Sequence, residues 1–174
     1  DESKRFGETL CYVYSEKYSM PISIARPFNN YGPGMNLNDK RVPADFAKSI
    51  VNNKDIEIFS DGSPTRTFCY ITEARTGDLK VLLYGKFDYF NIGIDSPEIS
   101  IAKLAEIYTT HGKKVFNYSG KVKLAPPPEK NYLKDNPNRR CPNISKAQEL
   151  LNYSPSINVN EGVLRFLKYL EKEK

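Results

Sequence analysis

The chain has 174 residues, 39% of them hydrophobic and 27% charged, with a formal net charge of +5. That length covers one domain or slightly more and suffices for a real core; no apolar run approaches the ~20 residues of a membrane span, and the start lacks the basic-then-apolar form of a signal peptide. The basic excess admits nucleic acid, but Lys and Arg are scattered and alternate with acids, as in Glu171-Lys172-Glu173-Lys174, so no nucleic acid and no membrane are expected as partners, only a smaller anion in a basic cleft.

In chain order, residues 2–18 read as a helix, because Phe6, Leu10, Val13 and Tyr14 recur at i, i+4, i+7 and i+8. Lys4 stands one turn before Glu8, so a plain i,i+4 ion pair is its simplest role. Met20-Pro21 ends this helix. Ile22 to Arg26 reads as a buried strand that runs into Pro27-Phe28-Asn29-Asn30-Tyr31-Gly32-Pro33-Gly34. In open α/β sheets, ligands sit where strands hand over to loops at their carboxyl ends. A polar loop covers 35–42, and a helix follows over 43–52 with Pro43 in its first turn.

Residues 56–59 form a short strand, Ser60-Asp61-Gly62-Ser63 a turn, and Thr65 to Ile71 a second strand. Thr72 is expected to cap a helix running to about Tyr84. Phe90 to Gly93 is another strand. Ser100 opens a helix with Ile101, Leu104, Ala105 and Tyr108 on one face. Val115–Tyr118 and Val122–Leu124 are strand candidates. Pro126-Pro127-Pro128 marks a stiff exposed loop, 129–143 is polar and irregular, and helices close the chain near 145–152 and 160–172. The alternation points to an α/β or α+β domain.

Cys11, Cys69 and Cys141 make an odd set without C-x-x-C spacing. They imply a reducing cytoplasm, with neither a disulfide framework nor a zinc site; Cys11 and Cys69 are expected in the core. His111 is the only histidine, which excludes Ser-His-Asp catalysis and a multi-histidine metal site within this chain, and its position suggests a helix end. No G-x-G-x-x-G or related Gly-rich turn is present to cradle a pyrophosphate.

Four stretches carry a resemblance: Glu2-Ser3-Lys4-Arg5 with Glu8; Ala25-Arg26-Pro27-Phe28-Asn29-Asn30-Tyr31-Gly32-Pro33; Phe59-Ser60-Asp61-Gly62-Ser63-Pro64-Thr65-Arg66; and Asn136-Pro137-Asn138-Arg139-Arg140-Cys141-Pro142-Asn143-Ile144-Ser145-Lys146-Ala147. In order and spacing they resemble the NAD-dependent epimerase/dehydratase family, the extended short-chain dehydrogenases that act on nucleotide sugars. The loop Gly34 to Val42 and the tail are most similar to UDP-glucuronate decarboxylases, with 4,6-dehydratases and 4-epimerases close behind. Gly34 stands where decarboxylases often have Arg, and Asn143 replaces the usual Asp.

The resemblance implies an α/β fold: the end of a Rossmann-type sheet over residues 1–34, then a nucleotide-sugar-binding region over 35–174, with the Gly-rich dinucleotide-binding half absent. It places Lys4 as the lysine of a Tyr-x-x-x-Lys pair whose tyrosine would precede Asp1, so the chain alone is expected to be inactive and to hold no NAD, although the whole protein would bind it. A nearby ammonium favours the phenolate of such a tyrosine. Oxidation at C4 of the sugar would then lead to decarboxylation, dehydration or epimerisation.

Arg26 and Pro27 would pass the nicotinamide, although a structural ion pair serves Arg26 equally well. Asn29, Val42, Phe59, Arg66 and Arg140 would bind a UDP-sugar or another nucleotide-sugar. A guanidinium fork matches phosphate oxygens, so Arg66 and Arg140 are the expected diphosphate ligands; a surface ion pair is the alternative for each, with Arg139 competing with Arg140 for the role. Phe59 would lie against the base, or serve as a plain core aromatic. The resemblance also implies a homodimer through helix 2–18. A stand-alone nucleotide-sugar-binding module without redox activity is the other reading.

Overall fold

The computed structural model describes residues 2–126 and 136–173. The elements run α1 (Glu2–Tyr18), β1 (Ser23–Pro27), β2 (Asn30–Tyr31), α2 (Val42–Val51), β3 (Ile56–Ile58), β4 (Thr65–Arg66), β5 (Cys69–Tyr70), α3 (Ile71–Leu82), β6 (Asp88–Ile92), β7 (Ile99–Ser100), α4 (Ile101–Phe116), β8 (Val122–Leu124), β9 (Arg139–Arg140), α5 (Ser145–Leu151) and α6 (Val159–Lys172).

The sheets are short and mostly parallel, as expected for an α/β chain. β1 pairs with β6 in parallel from Ser23↔Asp88 to Pro27↔Ile92, joining residues on both sides of position 34. β2 pairs in parallel with β5, and β3 with β8. A three-stranded sheet has the order β7-β4-β9, with β4 antiparallel to β7 and parallel to β9.

The larger core gathers Phe46 and Ile50 of α2, Ile56 and Ile58 of β3, Leu104 and Tyr108 of α4, and Val163, Phe166 and Leu167 of α6. Val163, Phe166 and Leu167 fall at i, i+3 and i+4, one helical stripe, and each such side chain fully buried contributes about 1.5–3 kcal/mol. Close approach here needs glycine: a Cβ on Gly162 would stand 2.1 Å from the Tyr31 hydroxyl. A second core joins Val81 of α3, Phe90 and Ile92 of β6, and Ile144, Ala147 and Leu151 of α5.

Several expectations change. The strand expected over 65–71 is broken into β4 and β5, with Ile71 already in α3, and the two expected strands do not pair with each other: β3 pairs with β8, β4 with β7 and β9, and β5 with β2. Tyr70, not Thr72, is the N-cap residue of α3. Val115 and Phe116 continue α4, which ends at a left-handed Asn117. His111 is buried inside α4 rather than at its end, with Nε2 2.9 Å from Asn160 Oδ1 on α6. Cys69 is buried as expected, but Cys11 is half-exposed on a helix without buried residues. Ser100 does cap α4, its Oγ accepting from the Lys103 amide at 3.1 Å. Pro127 and Pro128, and residues 129–135 of the polar stretch, lie outside the described residues. Among the described residues, no helix is long and apolar enough to cross a membrane and no metal-ligand cluster exists.

α1 is held to the body by few contacts. The Arg26 guanidinium donates from Nε and Nη2 to both carboxylate oxygens of Glu8, Nε at 2.7 Å, and also lies 4.3 Å from the Tyr89 ring centre. Tyr12 packs edge-on to Phe87 at 5.3 Å. Phe6, Leu10, Val13 and Tyr14 are 41–64% exposed.

Candidate substrate-binding cleft

A cavity of about 230 Å³ opens beside the larger core. Its walls come from the turn after β1, the start of α2, the end of β3, β4, and the segment leading into β9. Asn29, Val42, Phe59, Arg66 and Arg140 all line it. Lys4, Arg26 and Pro27 do not: Lys4 is exposed on α1, Pro27 is exposed at the end of β1, and Arg26 is committed to Glu8.

The local chemistry explains how these side chains converge. The Ser60–Ser63 turn is fixed by Asp61, whose Oδ1 accepts from the Ser63 amide at 2.9 Å and hydroxyl at 2.7 Å. Gly62 takes a φ of +80°, which favours glycine, and its carbonyl accepts from the Ala102 amide at 3.0 Å. The turn is thereby pinned to the start of α4, and β4 leaves it carrying Arg66 inward.

Arg66 is 7% exposed. Its Nη1 donates to the carbonyls of Thr65 at 2.6 Å and Asn138 at 3.2 Å. Its Nη2 donates to Asn136 Oδ1 at 2.8 Å and the Pro137 carbonyl at 2.5 Å. All these acceptors are neutral, and among the described residues Arg66 makes no ion pair. Burial lowers its proton affinity, and the positive charge of Arg140 lowers it further, with Glu98 opposing. The expected alternative of a surface ion pair therefore does not hold for Arg66.

Register puts Arg66 opposite Arg140 and Thr65 opposite Arg139 on the parallel β4–β9 pair. Glu98 accepts from the Thr65 hydroxyl and from Arg139, at 3.0 Å to Nε and 2.8 Å to Nη2. These bonds, Thr65 first, hold the Glu98 carboxyl below its usual range. So the adjacent arginines separate by partner: Arg139 is paired with Glu98, while Arg140 lines the cavity and has no ion pair among the described residues.

Asn29 adopts a φ of +45° and donates from Nδ2 to the Thr67 carbonyl at 2.8 Å. That uses one of its two amide hydrogens. Val42 opens α2 after Arg41, whose side chain makes no cap bond to the helix. Asn136, to which the sequence assigned no role, lines the cavity and accepts from Arg66 Nη2 at 2.8 Å.

Asp45 belongs to none of the motif stretches. It lies in the first turn of α2, lines the cavity and is half-buried. Desolvation raises its carboxyl above the usual range; Lys48 and Lys40 pull it back and Asp39 adds to the rise. Its available signal was an acid one turn into a helix that begins beside a ligand loop. The arrangement as a whole can hold an anion at the arginines and present a hydrogen-bond acceptor at Asp45.

Residues 1–93 match the model of the NAD dependent epimerase/dehydratase family. UDP-glucuronic acid decarboxylase 3 of Arabidopsis thaliana is 33% identical over 94% of this chain and 45% of its own length. UDP-glucuronic acid decarboxylase 1 of Xenopus tropicalis is 30% identical over 99% of this chain and 39% of its own. The chain thus spans less than half the length of these curated relatives. A Bacillus cereus UDP-glucuronic acid 4-epimerase, solved in complex with UDP-glucuronic acid and NAD, superposes with a TM-score of 0.75 at 28% identity, over 97% of this chain and 51% of that one. Thermotoga maritima UDP-glucose 4-epimerase shares the fold, with a TM-score of 0.82 at 22% identity over 95% and 51%.

Proposed function

The chain belongs to the NAD dependent epimerase/dehydratase family, and on that premise we propose that its cleft holds the diphosphate and base of a nucleotide-sugar, a UDP-sugar first. The observation that carries this is Arg66, a buried guanidinium answered among the described residues only by neutral oxygens, beside Arg140, which has no ion pair among them. An anion between them would supply the missing negative charge through charge-assisted bonds. Asn29 would add an amide donor, and Phe59 an aromatic face for the base.

The reaction we assign to the whole protein is 4-oxidation of the sugar followed by decarboxylation, because the curated relatives named above are UDP-glucuronic acid decarboxylases. Epimerisation at C4 is the second reading, favoured by the likeness to the Bacillus cereus enzyme; 4,6-dehydration is a further alternative. Lys4 would help to hold NAD, which would supply the redox chemistry at C4 of the sugar. Lys4 is exposed and makes no ion pair among the described residues, so its ammonium is free to hold cofactor hydroxyls and to favour the phenolate of a neighbouring tyrosine. Arg26 serves this site through position: its bond to Glu8, one helical turn beyond Lys4, orients the helix that bears the lysine.

We further assign residues 1–34 to the end of a Rossmann-type domain and residues 35–174 to the substrate region. A homodimer through α1 would cover its exposed Phe6, Leu10, Val13 and Tyr14; sedimentation as a monomer at micromolar concentration would argue against it. The three free cysteines accord with a cytoplasmic location.

The direct test is calorimetric titration of UDP and UDP-glucuronate into the chain and its Arg66→Ala variant. Saturable binding that is weaker by about 1.5–3 kcal/mol in the variant is expected. Equal affinity in the two would refute the diphosphate assignment.

A further inference from the structure

We propose that Asp45 determines base specificity in this cleft, its carboxylate accepting a hydrogen bond from a ring N–H of the nucleobase. The inference rests on the nucleotide reading of the cavity. Asp45 shares that cavity with Phe59 and Val42. Of the charged side chains nearby, Arg41 pairs with Asp39, Lys48 Nζ donates to Asn38 Oδ1 at 2.7 Å, and Lys40 acts on Asp45 through space without a hydrogen bond among the described residues. Asp45 itself accepts no side-chain hydrogen bond and forms no ion pair among the described residues. A carboxylate taken partly out of water without a donor is destabilised, which the upward displacement of its proton affinity reflects. In a cavity whose other charged lining includes Lys40, Arg41, Arg66 and Arg140, this acid is poorly suited to the phosphates. It suits the part of the ligand that donates.

Among nucleobases the consequence is specific. Uracil carries N3–H, a donor that an ionised carboxylate can accept. Cytosine carries a lone pair at the same N3, which faces the carboxylate unfavourably. Methylation of uracil at N3 removes the donor and leaves the ring and phosphates in place. Asp45→Asn exchanges an acceptor-only group for one that can also donate, so its amide can meet the cytosine lone pair.

The experiment titrates UDP, CDP and N3-methyl-UDP into the chain, its Asp45→Asn and Asp45→Ala variants, and Arg66→Ala as a reference. The wild-type chain should prefer UDP over both analogues by about tenfold, the size of one hydrogen bond to a charged group. Asp45→Ala should level the three affinities. Asp45→Asn should bind CDP more tightly than the wild-type chain does, a gain that misfolding does not produce. If UDP binds in an Arg66-dependent way but N3 methylation and both Asp45 variants leave the ranking unchanged, the Asp45 assignment is overturned and the nucleotide reading stands. If no nucleoside diphosphate binds, both fall.

Discussion

Arg26 on β1 and Arg66 on β4 are both guanidinium groups on short strands, yet their charges are answered differently. Arg26 meets both oxygens of Glu8 while its side chain remains 39% exposed. Arg66 is almost fully buried and, among the described residues, meets only carbonyl and amide oxygens, with a second arginine alongside. A half-exposed cation with its own anion is complete, and its work is to tie α1 to the sheet. A buried cation held by dipoles is oriented but not neutralised, and a ligand can finish the job. The same residue type in the same family pattern thus does two kinds of work, and burial together with partner charge tells them apart.

The sharpest way to break this contrast is to remove each guanidinium and read ligand affinity. Arg66→Ala should weaken UDP binding by about 1.5–3 kcal/mol, the range for hydrogen bonds to charged groups. It should also free the segment from Asn136 to Arg140, seen as faster amide exchange there, because four of that side chain's bonds end at Thr65 and at residues 136–138. Arg140→Ala should cost less, about 1 kcal/mol, because an exposed cation works through water. Arg26→Ala should leave UDP affinity within error and instead raise amide exchange along α1.

A gentler probe is pH. The bond to Arg26 holds the Glu8 carboxyl below the ordinary glutamate value of about 4.3. A lowered folded value means that this contribution is complete above that pH and disappears as pH falls through the folded value. Helix α1 should therefore loosen on acidification, and Glu8→Gln should be loose already at neutral pH. Asp45 runs the other way. Its folded value is raised by desolvation, so its ionisation costs stability as pH rises through that value. Asp45→Asn should stabilise the fold slightly at neutral pH, by well under about 1 kcal/mol for a half-buried group, and the gain, read as a raised melting temperature, should vanish in acid.

The helices were the most legible part of the sequence. The period of Phe6, Leu10, Val13 and Tyr14 located α1 within its observed bounds of Glu2–Tyr18, and Pro43 marked the start of α2. Cleft residues were legible through motif resemblance, and five scattered positions from Asn29 to Arg140 do share one cavity. Strand partners were not legible. β3 and β8 are separated by two helices, α3 and α4, and pair in parallel from Ile56↔Val122 to Ile58↔Leu124, and such pairing leaves no local signal. Val115 and Phe116 resembled a strand by residue type, but Lys113 and Lys114 in the last turn and Asn117 in the left-handed region end a helix there. Asp45 was missed because one acid in a first helical turn is ordinary; only its position on a cavity wall without a partner sets it apart. The choice between Arg139 and Arg140 needed Glu98, which arrives from more than thirty residues away in sequence.

The cross-strand register of Arg66 and Arg140 has a thermodynamic corollary. Neighbouring strands stand about 4.8 Å apart, so the β4–β9 seam closes against the mutual repulsion of two cations. Any anion that bridges them relieves that repulsion and favours the closed seam. By linkage, whatever favours the closed seam raises affinity for the anion by the same factor. The cleft is thus a latch whose bolt is the ligand: occupancy should slow exchange at the Arg139 and Arg140 amides, and a substitution that unzips β9 without touching the arginines should weaken the ligand in proportion.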